Sequence, residues 1–222
     1  MMKRILAVVL MFALGAFAQA PPKQVDLHRL AEAVDKHYNS LQSLETQFSE
    51  QYQGGGVSRT ESGTMWIKKP GKMLWQYLAP RQKVFVTDGK TAWFYVPGEK
   101  QARRAAVKNL DDLRSPLRYL LGRSKLEKEF NGLSLAPDQT PVTAGDIVLR
   151  GVPKGMEDRI SMVLLEVTPE NRLARIYIEE LDGSQTEFRF KDQKENVSLA
   201  DSRFSFKPPA GVEVMEATEL QP

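Results

Sequence analysis

Residues that could carry acid–base or metal chemistry are few in this 222-residue chain. Its two histidines, His28 and His37, stand nine residues apart on a predicted helix, which places them on opposite faces and prevents them from chelating one metal ion. Adjacent acidic residues, such as Asp111 and Asp112, have diverging side chains and are typical of a solvated surface. The sequence contains no G-x-S-x-G elbow, phosphate-binding loop or H-E-x-x-H motif. We therefore expect that this protein is not an enzyme and that it has no catalytic residues, no bound metal and no cofactor.

The absence of cysteine removes disulfide bonds and thiol catalysis. Because a bacterial lipoprotein receives its lipid on a cysteine, we also expect that this protein is not itself lipid-anchored. The formal net charge is +3, and it falls to +1 without Lys3 and Arg4, which leaves 29 basic against 28 acidic residues. A nearly neutral chain lacks the positive surface of a nucleic-acid-binding protein, so we expect no nucleic acid as a partner.

The N-terminus has the pattern of a secretory signal peptide. Two basic residues precede an apolar run from Ile5 to Ala18, which is shorter than the about 20 residues that a membrane-spanning helix needs. Cleavage after Ala18 or after Ala20 fits the small residues there, and we favour Ala18 because a proline would follow the second site. The prediction is a signal peptide at residues 1–18 and a single soluble, periplasmic domain at residues 19–222.

The hydrophobic periodicity predicts a mainly β protein with helices. Apolar residues recur at three- and four-residue steps from Val25 to Leu41 and again from Leu110 to Leu121, which indicates two amphipathic helices. Elsewhere the period is two, and tight-turn residues such as Asp88-Gly89 separate the runs. The predicted strands are Leu44–Tyr52, Arg59–Lys68, Lys72–Leu78, Lys83–Thr87, Thr91–Val96, Ile147–Val152, Ser161–Thr168, Leu173–Leu181, Thr186–Lys191 and the short Phe204–Lys207 and Val212–Met215. Sequential strands of this kind favour a single sheet that curls around helices.

The most informative apolar residues lie in the strand that begins at Lys72 and in its neighbours. Met73 and Trp75 alternate along one face of this strand, and further aromatic residues, including Trp66 and Trp93, lie on adjacent strands. An ordinary filled core explains this pattern, and so does a cavity lined by aromatic and methionine side chains. The sequence pattern alone leaves both interpretations open.

A motif around these residues resembles the LolA family of periplasmic lipoprotein carriers. The chain has W-I-K-K-P-G-K-M-L-W followed by T-D-G-K-T-A-W-F-Y-V-P, where that family has W-V-K-[KR]-P-x-x-[FM]-x-W and an S/T-D-G-K-x-x-W-x-Y-x-P hairpin. A closing F-x-F-x-P-P-x-G-V is also similar. The positions that match are Trp66, Lys68, Lys69, Pro70, Met73, Trp75, Asp88, Gly89, Lys90, Trp93, Tyr95 and Pro97.

The resemblance implies a fold and a transport cycle. The fold is mainly β (α+β): an unclosed antiparallel β-barrel of about eleven strands, with helices that lid a hydrophobic cavity. The implied function is that of a periplasmic chaperone, which accepts triacylated lipoprotein from an inner-membrane ABC transporter of the LolCDE type and delivers it to the outer membrane, through the receptor LolB where that exists. We expect a monomer. A carrier of other lipids or glycolipids with the same fold is the alternative.

The expected functional residues form two groups. The acyl chains should contact a hydrophobic wall, and one lysine, Lys69, should hold the lid closed, because family members commonly have an arginine there. An exposed lysine at a turn is the alternative interpretation of Lys69. The expected cavity residues are Trp66, Met73, Trp75, Trp93, Leu117, Leu120 and Leu121.

Overall fold

One large β-sheet dominates the computed structural model, which describes residues 25–107, 125–217 and 220. Two α-helices lie in these residues, α1 at Leu27–Ser40 and α2 at Leu126–Glu129. Twelve strands lie in the same part of the chain: β1 (Ser43–Gly54), β2 (Val57–Lys68), β3 (Lys72–Ala79), β4 (Lys83–Asp88), β5 (Thr91–Tyr95), β6 (Gln101–Ala106), β7 (Phe130–Leu135), β8 (Ile147–Pro153), β9 (Ile160–Val167), β10 (Leu173–Glu180), β11 (Gln185–Glu195) and β12 (Glu213–Glu216).

The sheet is unclosed, as the resemblance to the LolA family implies. Its strand order is β12-β6-β5-β4-β3-β2-β1-β11-β10-β9-β8-β7, so β12 and β7 are the edge strands among the described residues. Neighbouring strands pair antiparallel, except that β12 runs parallel to β6. The mainly β fold and the unclosed sheet are confirmed. The described residues contain twelve strands instead of about eleven: ten of the predicted strands are present, one is not, and β6 and β7 were not predicted from the sequence.

The strand predicted at Phe204–Lys207 is wrong. Residues Asp201–Phe204 form a short 3₁₀ helix, and the chain then runs without strand pairing through residues 205–209. Pro208 and Pro209 lack the backbone N–H groups that a ladder needs, and the segment crosses the face of the sheet instead of extending it. The strand predicted at Val212–Met215 is confirmed as β12.

Helix α1 begins within two residues of the predicted start and packs against the sheet through one apolar stripe. The Asp26 carboxylate accepts a hydrogen bond from the Arg29 N–H at 3.2 Å and caps the first turn. Ala31, Val34 and Tyr38 are buried along one stripe, as the apolar period requires. The second predicted helix, Leu110–Leu121, lies outside the described residues. Within the described residues, no helix combines the length and the hydropathy that crossing a membrane requires.

Strands β1–β6 form what we call the first half of the sheet, and β7–β11 form the second half. Side chains on the first half divide into two clusters on opposite faces. The inner cluster faces α1 and includes Met65, Met73 and Trp75. The outer cluster consists of Val86, Leu199 and Phe204, with Trp66, Leu74, Val84, Trp93, Val197 and Phe206 packed against them. Residues 197–206, which we call the outer segment, supply part of this cluster and cover the strands on this face.

Candidate functional site

The interior behind α1 is the largest apolar region that the described residues form. Its wall around Trp75 is aromatic: the ring of Trp75 lies 5.1 Å from Phe48, 6.1 Å from Tyr77 and 5.7 Å from Phe188, measured between ring centroids. Met65 is the cross-strand partner of Trp75. Aromatic and thioether side chains form an apolar surface, and methionine adapts its shape to what it contacts.

The structure brings Met73 and Trp75 together on this inner wall. They are two residues apart on β3, so they point to the same face, and both are at most 2% exposed. Met73 is the cross-strand partner of Ile67, which belongs to the same cluster. Met73 and Trp75 therefore share one face of β3, as the alternation in the sequence predicts.

Trp66 and Trp93 lie on the other face of the same sheet. Cross-strand pairing joins Trp66 to Leu74, Leu74 to Val86 and Val86 to Trp93, which forms one row that belongs to the outer cluster. Trp66 donates its Nε1–H to Glu45 at 2.8 Å, and the Arg203 guanidinium lies 4.7 Å from its ring. The structure therefore does not bring these two tryptophans together with Met73 and Trp75.

Three further expected cavity residues cannot be placed relative to this wall. Leu117, Leu120 and Leu121 lie outside the described residues.

Lys69 lies at the C-terminal end of α1. Its ammonium donates hydrogen bonds to the backbone carbonyls of Tyr38 at 2.5 Å and Asn39 at 3.3 Å, both in the last turn of the helix. A cation is favourable there, because the carbonyl groups at a helix C-terminus carry partial negative charge. Lys69 follows β2, so these bonds join α1 to the first half of the sheet.

Tyr38 joins the same end of α1 to the second half of the sheet. Its hydroxyl oxygen accepts a hydrogen bond from the Leu173 N–H at 2.8 Å, and Leu173 begins β10. Burial of this ring raises the pKa of Tyr38 above its ordinary value. The last turn of α1 is thus bound to both halves of the unclosed sheet, through the Tyr38 carbonyl on one side and its hydroxyl on the other.

A buried polar network lies at the opposite end of the inner wall, and the sequence analysis did not identify it. Tyr77 donates its hydroxyl hydrogen to Glu50 at 2.7 Å, and burial raises the pKa of the Glu50 carboxyl. Glu61, the cross-strand partner of Glu50, accepts from Lys83 at 2.9 Å and pairs with Arg59 at 2.9 Å. The signal was present in the sequence, because both glutamates fall in phase with inward apolar residues of their strands.

A separate cleft of about 480 Å³ lies between α1 and α2, and its charged lining is unsuited to hydrocarbon. His28 and Glu127 face each other there, with Nδ1 and Oε2 2.9 Å apart, and this contact raises the pKa of His28. The lining residues are His28, Glu32, Asp35, Lys36, Lys125, Glu127 and Lys128. In the part of the chain that the structure describes, no three histidine or acidic side chains are grouped to hold a metal ion.

Comparison with known proteins identifies the family. The family model described as "outer membrane lipoprotein carrier protein LolA" matches residues 39–207. The chain therefore belongs to the LolA family, and the resemblance seen in its sequence motifs is confirmed.

Individual relatives agree with this assignment. An outer-membrane lipoprotein carrier protein from Nitrosospira multiformis is 32% identical over 162 residues, which cover 72% of this chain and 74% of the relative. One from Chromobacterium violaceum is 28% identical over 216 residues, which cover 96% of this chain and 98% of the relative. The crystal structure of an uncharacterized conserved protein from Thermus thermophilus matches with a TM-score of 0.52 at 12% identity, over 85% of this chain and 98% of that one, and shows likeness of fold alone.

Proposed function

We propose that this protein is a periplasmic carrier that binds the acyl chains of lipoproteins released from the inner membrane and delivers them to the outer membrane. The observation that carries the proposal is the apolar inner wall around Met73 and Trp75, in a chain of the LolA family. In this proposal an ABC transporter of the LolCDE type loads the carrier, and a LolB-type receptor accepts the cargo where one exists.

The physical need for such a carrier follows from the hydrophobic effect. Burying an acyl chain is worth about 0.8 kcal/mol per CH₂, so exposing a chain of about fifteen methylenes to water costs about 12 kcal/mol. Spontaneous release into the periplasm is then too slow for transport. The carrier needs an apolar interior that opens to the donor and acceptor, and no catalytic step is assigned to its own residues.

The packed interior must open to admit cargo. Trp75 and Met73 are nearly inaccessible to water in this structure. Acyl chains can reach them only if side chains rearrange or α1 moves away, and the carbonyl contacts of Lys69 oppose that movement. We assign Lys69 the role of favouring the closed state, which stabilises the empty carrier and thereby promotes release of the cargo.

A pair of adjacent substitutions tests the function. Met73→Glu places a carboxylate among the acyl chains, and we expect bound lipoprotein to fall by at least about tenfold. Leu74→Glu is the matched control, because Leu74 is the next residue of β3 and belongs to the outer cluster. Both variants are compared after equal amounts of folded protein are confirmed by circular dichroism.

The measurement is the amount of lipoprotein that each variant releases from spheroplasts and retains on purification. Normal retention by Met73→Glu would contradict the proposal, and so would equal losses in both folded variants. If wild-type protein retains phospholipid or glycolipid in place of lipoprotein, the alternative of a general lipid carrier is correct.

A further inference from the structure

One polar atom of the inner wall has no hydrogen-bond partner among the residues that the structure describes. The side chain of Trp75 is 1% exposed, and its Nε1 is buried without an acceptor. The side chains opposite it on the neighbouring strands are Met65 and Phe85, which offer no oxygen atom. The Tyr77 hydroxyl, on the same strand, is engaged with Glu50.

An unpaired indole N–H is unusual in a protein interior. Indole nitrogen is a donor only, and buried donors are almost always paired because leaving one unpaired is unfavourable. The same strand pair shows the ordinary arrangement on its other face, where Trp66 donates to Glu45 at 2.8 Å. In a wall that contacts only hydrocarbon, this N–H donor has no function, and a phenylalanine ring would fill the same place without an unpaired polar group.

We propose that the Trp75 N–H binds the carbonyl oxygen of an acyl ester or amide group of the cargo. The inference rests on the proposed function, because lipoprotein acyl chains are attached through ester and amide carbonyls. These carbonyls are acceptors that enter the interior together with the first methylenes of the chain. Trp75 therefore distinguishes acyl groups from alkyl chains of equal length.

The position of Trp75 along β3 gives the bound group a direction. Met73 and its partner Ile67 lie on the side of Trp75 nearer to Lys69, and both are apolar. Tyr77 lies on the other side and leads to the buried network of Glu50 and Glu61. An acyl carbonyl at Trp75 directs its chain towards Met73 and its head group towards the polar end.

Two synthetic probes and two variants test the proposal on the full mature protein. One probe is a triacylated lipopeptide, and the other is an alkyl analogue of equal chain length in which methylenes replace the acyl carbonyls. Wild-type protein should bind the acyl probe about tenfold more tightly, as expected for one buried hydrogen bond that satisfies an unpaired donor. Trp75→Phe keeps an aromatic ring but removes the donor, so this variant should bind the two probes equally. Trp66→Phe is the matched control and should retain the preference.

A spectroscopic measurement detects the hydrogen bond itself. With ¹⁵N-labelled protein, the indole N–H resonance of Trp75 should move downfield when the acyl probe binds and should not do so with the alkyl analogue. Equal affinity of wild-type protein for both probes would overturn the proposal, as would a preference that survives in Trp75→Phe. If neither probe binds wild-type protein, the carrier function itself fails, and the role of Trp75 fails with it.

Discussion

The two faces of the first half of the sheet are built from the same kinds of residues but differ in what covers them. On the outer face, Trp66 and Trp93 are covered by the outer segment, and Trp93 lies 5.4 Å from Phe206 between ring centroids. On the inner face, Trp75 belongs to the cluster that also contains the buried residues of α1. The N–H of the outer tryptophan Trp66 is paired, whereas the N–H of Trp75 has no acceptor in the described part of the chain.

This difference indicates which face can exchange its contacts within the protein for contacts with cargo. Two lysines fasten the outer segment, since Lys68 and Lys72 each lie 2.7 Å from the Asp201 carboxylate. Lys68 also donates to the Leu199 carbonyl at 2.6 Å. The outer face is thus covered by a segment that ion pairs and a hydrogen bond fasten to it. The inner face is covered by a helix whose last turn is held through backbone carbonyls, and this is the face that we assign to cargo.

The largest expected effect is on the outer face and concerns stability. Phe204 is 1% exposed in the outer cluster, so Phe204→Ala should lower the free energy of unfolding by about 3–5 kcal/mol through lost contacts and a cavity. Urea denaturation measures this loss. Acyl-probe affinity per folded molecule should stay unchanged, and a weaker affinity in fully folded Phe204→Ala would show that the two faces are not independent.

The next comparison uses the adjacent lysines Lys68 and Lys69. Lys69→Leu removes charge-assisted hydrogen bonds to the end of α1, and it should slow transfer of cargo to outer-membrane acceptors about tenfold or more. Lys68→Leu, which affects only the contact with the outer segment, should transfer at the wild-type rate. The readout is the rate of transfer from loaded carrier.

Lys69→Arg refines this comparison. Arginine offers a planar fork of five donors and can hold two carbonyls with fixed geometry, so closure should be favoured more strongly and transfer should be faster than in wild-type protein. Equal transfer rates for wild-type protein, Lys69→Arg and Lys69→Leu would refute the closure role of Lys69.

The smallest expected effects are opposite pH dependences on the two faces. On the outer face, hydrogen bonds from Lys68 and Lys72 lower the pKa of Asp201 from 3.8 to about 2. The stabilisation is present above pH 3.8 and is lost as the pH falls through about 2. Asp201→Asn should therefore unfold at a slightly lower temperature than wild-type protein at pH 7, with no difference at the acid end.

On the inner face, burial raises the pKa of Glu50 above 4.5. The charged carboxylate therefore destabilises the folded state, and this destabilisation develops as the pH rises from 4.5 through the raised pKa. Glu50→Gln removes the charge and keeps an acceptor for the Tyr77 hydroxyl. It should gain thermal stability relative to wild-type protein at pH 7 and show no gain below pH 4.5. Thermal unfolding across pH checks both variants, and pH dependences of the same sign would contradict the assignment.

Most elements of the fold could be predicted from the sequence because their periodicity is strong. The predicted helix at Val25–Leu41 is α1 within two residues at each end. Strand β6 was missed because it consists of alanine, arginine and glutamine without β-branched or aromatic residues, and β7 was missed because it is interrupted by Gly132 and an irregular register.

The candidate site was harder to predict than the fold. The alternation within each strand does not by itself show that Trp66 and Trp75 belong to opposite rows. That conclusion also requires the register between β2 and β3. Both rows are apolar, so composition does not tell which one faces α1. That choice depends on a long-range contact, because the outer segment is more than 100 residues away in sequence from the strands that it covers.

Native mass spectrometry of the protein purified from its own host tests the central claim most directly. The measurement determines the mass of what is bound in the interior of wild-type protein, with Met73→Glu as the empty control. The account predicts a noncovalent complex with acylated polypeptide, which is absent from Met73→Glu. A complex with phospholipid alone, or acylated polypeptide bound equally by Met73→Glu, would contradict it.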